Sequence, residues 1–196
     1  MNDGDGIGTF TDERDGQTYR TVKMPDGKVW MAQNLNYKSE SGNSWYYVDD
    51  ESMGEKYGIL YDWKTAMEVS PTGWHLPSLK EWVDLMSAVG GEEIAGKKLK
   101  SKSGWVKKDD YGFPALPGCS RYSNGTDDYG FSALPGGMRY SCGVFGYAVY
   151  SGFWWTATEY GAGNAYYRGM GYCNDYVNER SYDKSGGLSV RCVADP

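Results

Sequence analysis

The chain has 196 residues, 40% of them hydrophobic, and a formal net charge of −6 at pH 7. That length and apolar content suit one folded domain with its own core and exclude global disorder. The acidic balance argues against nucleic acid and anionic membranes as partners, and no apolar run approaches the length of a membrane span.

Residues 1–8 are acidic and glycine-rich and read as a flexible tail, with residues 9–196 as a single domain. From 9 to 31 the pattern is that of strands. Asp15-Gly16 and Pro25-Asp26-Gly27 supply turns, Thr18 to Met24 is rich in β-formers, and Lys28-Val29-Trp30-Met31 is the returning strand. Residues 38–56 read as a polar loop holding the aromatic cluster Trp45-Tyr46-Tyr47. Tyr61 to Met67 suits about two helical turns, with Trp63, Ala66 and Met67 on one face.

The best-specified element follows. Ser78 and Glu81 have capping-box spacing, and Leu79, Trp82, Val83, Met86 and Val89 recur at helical spacing before a stop at Gly90-Gly91. Its wide apolar face, centred on Trp82, needs a cover, and the Trp- and Tyr-rich C-terminal half is large enough to provide one. Lys97, Lys98, Lys100, Lys102, Lys107 and Lys108 read as a solvated edge. The stretch Asp109 to Gly118 returns as Asp127 to Gly136, and each copy runs on to an Arg-Tyr pair. The second copy reads as part of the domain, with its aromatic and leucine residues in the core; 109–126 reads as a duplicated loop segment. Further strands are expected at 152–158, 164–170 and 188–193. The sum is an α+β fold of antiparallel twisted sheets with two short helices and long loops.

Little here points to catalysis, and no catalytic residue is assigned. The one histidine, His75, lies between Trp74 and Leu76 and suits a structural role, donating to a loop carbonyl. Zinc lacks the paired Cys and His that it needs. No cofactor is expected, although Glu159, Asn164, Asp175 and Asn178 leave room for a structural calcium. Cys119, Cys142, Cys173 and Cys192 allow two disulfides and an oxidising compartment. Three pairings are open at this point.

Several motifs in order resemble one family. They are Gly73-Trp74-His75-Leu76-Pro77-Ser78 with Glu81-Trp82, Tyr129 to Arg139, Trp154-Trp155-Thr156-Ala157-Thr158-Glu159, Ala165-Tyr166-Tyr167-Arg168 and Leu188 to Val193. Asp15 to Tyr19 and Val29 to Leu35 extend the pattern. The chain resembles, over roughly residues 9–194, the Fibrobacter succinogenes major paralogous domain. That resemblance implies a C-type lectin-like fold, in the branch shared with formylglycine-generating enzymes, on bacterial surface or secreted proteins that are often lipoproteins. Some variable proteins of diversity-generating retroelements are similar. The resemblance also implies a cysteine where Ser70 stands, which leaves Cys192 without its usual partner and makes Cys173 a candidate. At least one disulfide is expected, Cys119–Cys142 or Cys173–Cys192, each closing a loop of about 20 residues worth roughly 3 kcal/mol.

The sugar-and-calcium motifs of lectins with that fold are absent, so a calcium-dependent lectin ranks third. The feature that remains is residues 145–182, where charge nearly vanishes and Tyr, Asn, Gly and Ser dominate. Tyr147, Tyr150, Tyr160, Asn164, Tyr166, Arg168, Tyr172, Asn174, Tyr176, Asn178, Arg180 and Tyr182 are the candidate ligand-binding residues, with Asp175 among them. Such a mixture resembles antibody loops, with Tyr and Arg as low-entropy anchors. The expectation is a non-catalytic module, extracellular or at the cell surface, that binds a protein or carbohydrate. The alternative is a structural or assembly domain without a ligand site.

Overall fold

The computed structural model describes residues 6–106 and 124–196. The first repeat copy, Lys107, Lys108 and Cys119 lie outside the described residues. The elements run β1 (Ile7–Thr11), β2 (Thr18–Lys23), β3 (Val29–Met31), β4 (Ser44–Trp45), α1 (Ser52–Tyr57), β5 (Leu60–Tyr61), α2 (Trp63–Glu68), β6 (Trp74–His75), α3 (Leu79–Ala88) and α4 (Glu92–Leu99). After these come β7 (Gly136–Arg139), β8 (Phe145–Ala148), β9 (Ser151–Glu159), β10 (Asn164–Gly171), β11 (Val177–Asp183), β12 (Leu188–Ser189) and β13 (Val193–Ala194). The fold is mixed α+β, mostly antiparallel sheet with short helices.

One sheet has the order β1-β2-β3-β13-β6 and is antiparallel throughout. The other has the order β11-β10-β9-β12-β5-β4, with β12 parallel to β9, and β7 and β8 joined beside β9. Strands β12 and β13 belong to one seven-residue segment, 188–194, that leaves one sheet and enters the other. The strand expected over 188–193 is therefore split, because Val190 and Cys192 offer their carbonyls to Leu35 and Met31 in the crossing.

The capping box of α3 forms as its sequence dictates. Ser78 Oγ accepts from the Glu81 N–H, and Glu81 Oε2 accepts from the Ser78 N–H at 2.8 Å. Gly90 and Gly91, at φ 113° and 101°, end the helix. Trp82 is fully buried, its ring 5.2 Å from Trp30, 5.9 Å from Phe131 and 6.3 Å from Trp154. Residues from both halves of the chain thus share one core, and Phe131 brings in the second repeat copy. On the buried face Leu85 takes the place expected of Val83, which is exposed.

Other differences are local. Strand β1 begins inside the expected tail. Helix α1 and strand β4 lie in the expected polar loop, and α4 brings the α-helices among the described residues to four rather than two. Met67 of α2 is exposed. Lys97, Lys98 and Leu99 belong to α4, and Lys100 is buried, its ammonium donating to the Gly171 and Asn174 carbonyls at 3.0 and 2.8 Å. The lysine run is thus not a uniformly solvated edge. No helix among the described residues is long and apolar enough to cross a membrane.

Cys142 is an exposed free thiol and Cys192 a buried one, so neither favoured disulfide pair forms. Cys192 Sγ instead lies 3.4 Å from Ser70 Oγ, and burial pushes the thiol up to about 12. A thiol reagent is expected to label Cys142 in the native protein and Cys192 only after denaturation; mass spectrometry of the two samples checks this.

His75 plays a structural part, but toward carboxylates rather than a carbonyl. Its Nδ1 is 2.7 Å from Asp195 Oδ1 and its Nε2 3.0 Å from Glu81 Oε1, where Lys28 also binds at 2.7 Å. Partial burial disfavours the imidazolium, yet the hydrogen bonds to Glu81 and Asp195 outweigh it and raise the His75 pKa. Burial likewise opposes ionisation of Glu81, but Lys28, Ser78 and His75 hold it down to about 2. A raised histidine pKa stabilises the fold fully below the unfolded-state value and loses that effect as pH rises through the folded value. His75→Gln is therefore expected to lower the denaturation midpoint more at about pH 6 than at about pH 8.5. Trp82→Ala is expected to cost about 3–5 kcal/mol in urea unfolding, as a large core truncation.

Candidate functional site

Register decides what β9, β10 and β11 present. Arg168 pairs with Trp154 and Glu179, while Gly169 pairs with Phe153 and Asn178, and Tyr167 with Trp155 and Arg180. Side chains alternate across a strand, so Trp154, Met170 and Val177 share one face. That face packs on the α3 core. Phe153, Tyr167, Asn178 and Arg180 take the other. Trp155 and Ala165 close one end of this second face by burial against Tyr61, Ala66 and Leu188. The remainder is only partly covered.

An aromatic string runs across the open part. Tyr140 and Tyr147 have ring centroids 6.1 Å apart, Tyr147 and Phe153 5.8 Å, and Phe153 and Tyr167 5.7 Å. Tyr147 is 49% exposed. A hydrogen bond with Tyr147 pushes Tyr140 up to about 12. Burial raises Tyr167, partly offset by the Arg180 cation, while Tyr147 and Tyr182 add to the rise. Beside the string Tyr47 packs edge-on to Phe145 at 5.5 Å, and Arg139 covers the Trp45 ring at 4.2 Å. Exposed Val48 and Val144 belong to the same two aromatic segments. Tyr, Trp and Arg at half-exposed positions are the composition of binding hot spots.

The backbone here is strained. Val48, Asp49, Tyr147 and Val149 have φ of 52°, 57°, 68° and 65°. For β-branched Val48 and Val149 that region is a genuine outlier. Such strain concentrates where a shape is needed for function. Further along the face, Gly169 and Gly171 leave room for two amides. A Cβ on Gly169 would meet Asn178 Oδ1 at 2.5 Å, and one on Gly171 would meet Asn174 Nδ2 at 3.1 Å. The Oδ1 atoms of Asn174 and Asn178 are buried without a hydrogen-bond partner.

The candidate residues therefore divide. Tyr147, Arg180, Tyr182, Asn174 and Asn178 belong to the open face. Tyr150 and Tyr172 pair with each other at 5.5 Å, with Tyr172 packed against the α3 core. Tyr160 and Tyr166 meet edge to face at 5.2 Å by the β9–β10 turn, where the Asn164 carbonyl accepts from the Tyr160 and Gly161 N–H groups. Tyr176 is exposed, and its carbonyl lies close over Gly96 of α4. Arg168 is corrected outright: it is fully buried and ion-paired to Glu92 at 3.1 Å and Glu179 at 2.7 Å, a tie between α4 and β11 rather than a ligand anchor. Tyr140, Phe153 and Tyr167 were not among the candidates. Their signal was the parity of the Arg168-Gly169-Met170-Gly171 run, whose glycines mark the open side.

Glu159 is ion-paired with Lys184 at 2.7 Å. Among the described residues no group of three or more His, Cys, Asp or Glu is placed to hold a metal ion.

Curled antiparallel sheets with short helices and a half-open aromatic face define a β-rich α+β module. The family model for the Fibrobacter succinogenes major domain matches residues 22–194, and the chain belongs to that family. No curated protein and no solved structure matches it.

Tyr147→Ala is expected to change stability by less than about 1 kcal/mol, while Tyr172→Ala, which empties space beside the core, costs about 1–3 kcal/mol; chemical denaturation of the two variants tests the division.

Proposed function

We propose that residues 9–196 form one C-type lectin-like domain that acts as a non-catalytic ligand-binding module of a secreted or surface-attached bacterial protein. It recognises a protein or glycan through the open face of β8 to β11 and needs no metal. The observation that carries this reading is the string Tyr140, Tyr147, Phe153 and Tyr167, four rings in succession on a half-open sheet face with Arg180 beside them. Rigid aromatic rings bury area on binding at little entropic expense. The flanking strain and the two unpartnered amide oxygens support it further.

Fluorescently labelled protein applied to a glycan array and to whole bacterial cells tests the proposal. The double variant Tyr147→Ala/Phe153→Ala is expected to stay folded and to bind at least about tenfold more weakly, about 1.4 kcal/mol. Binding that survives in the folded variant would move the site elsewhere. Absence of binding by the parent protein on every surface supports the structural or assembly reading instead. Loss of binding in EDTA would restore a calcium-dependent lectin.

A further inference from the structure

A second site is built on the other side of the Trp45–Ser52 segment. Tyr47 packs on Phe145, whereas its neighbour Tyr46 lines a cleft of about 860 Å3 between β2 and α1. The size is that of a small-molecule site. Its floor is made by small groups: Gly54 is buried, and a Cβ there would meet Tyr46 Cε1 at 2.6 Å and Asn36 Oδ1 at 2.7 Å.

The lining offers amides already oriented. Gln33 Oε1 accepts from the Arg20 N–H at 2.7 Å, which turns its Nε2 outward as a donor. Gln17 Nε2 donates to the Asn36 carbonyl at 3.4 Å, which leaves its Oε1 as an acceptor. The Asn36 N–H is held by Tyr19 Oη at 3.1 Å, and Asn36 Oδ1 is buried with no hydrogen-bond partner. Such an oxygen costs free energy unless a ligand or water donates to it. Formal charge cancels around the rim, with Arg20 and Lys56 against Glu51 and Glu55. That balance disfavours a phosphate or a simple cation. Fixed amide donors and acceptors side by side match adjacent hydroxyl groups, each of which donates and accepts.

We propose that this cleft binds a neutral saccharide of one or two sugar units, independently of the aromatic face. The ring of Tyr46 provides the apolar contact, and Gln17, Gln33 and Asn36 the hydrogen bonds.

The test is a nitrogen-15 NMR titration of the whole chain with cellobiose, maltose, lactose and chitobiose at millimolar concentration, with triglycine as a peptide probe. At least one sugar is expected to shift the side-chain amides of Gln33 and Asn36 and the backbone amide of Gly54 in a saturable way. Tyr147→Ala should leave those shifts unchanged. Gly54→Ala, which drives Tyr46 and Asn36 into the cleft, and Asn36→Ala, which keeps the floor intact, should each weaken binding at least about tenfold. The proposal is overturned if none of the sugars shifts these resonances or if triglycine alone does. It is equally overturned if the shifts fall on Tyr147 and Phe153, or if both folded variants bind as the parent does.

Discussion

Arg191 is buried in full where the chain crosses from one sheet to the other, and among the described residues no carboxylate forms an ion pair with it. Its guanidinium donates to Asn34 Oδ1 from Nε at 3.2 Å and from Nη2 at 2.9 Å, to the Phe131 carbonyl from Nη1, and lies over the Phe131 ring at 4.5 Å. Burial pulls its pKa down to about 9. A charge in that position is tolerated only while hydrogen bonds satisfy it. Asn34 is the hub. Its Oδ1 also accepts from Trp154 Nε1 at 2.8 Å, and its Nδ2 donates to the Tyr57 carbonyl and to Ser189 Oγ. One amide and one guanidinium thus join the segment after β3, the end of α1, the second repeat copy, β9 and β12. Partial loss of such a network is worse than none of it, because each remaining polar group stays buried.

The open aromatic face inherits its rigidity from that knot. Trp154 turns to Asn34, so Phe153 and Trp155 on either side must turn to the opposite face of the sheet, where Trp155 is buried. Trp155 is fixed in turn by donating Nε1 to the Tyr61 carbonyl at 2.8 Å. Phe153 is therefore flanked by two immobilised indoles and carries the string of rings on a platform that does not need ordering when a ligand arrives. The cleft beside α1 depends on the same amide from the other side, since Asn34 and Gly58 line its depth.

Elements specified by neighbouring residues were legible in the sequence. The capping box at Ser78 and Glu81, the Gly90-Gly91 stop and the Asp15-Gly16 turn all depend on residues within one or two turns of each other. Helix α4 and the crossing at 188–194 were not, because both are set by distant partners: Arg168 against Glu92, and Arg191 against Asn34. Within residues 145–182, composition does not give the parity of the strands. Tyr166 and Tyr167 are neighbours, and composition cannot say which side of β10 the core occupies. Arg168 was the misleading residue, since a buried arginine held by two glutamates looks in sequence like a surface anchor. A disulfide was legible and its pairing was not: Cys173 is disulfide-bonded, while Ser70 occupies the position opposite Cys192, so spacing among the four cysteines carried no information about who faces whom.

The left-handed residues at 48, 49, 147 and 149 place selection for durability and selection for shape in opposition. Glycine at any of them would relieve backbone strain and, at Tyr147, would also delete a ring. Replacing the two valines is thus a route to a more stable protein at the expense of the local shape. Valine at 48 and 149 in this chain keeps the strained backbone that glycine would relax.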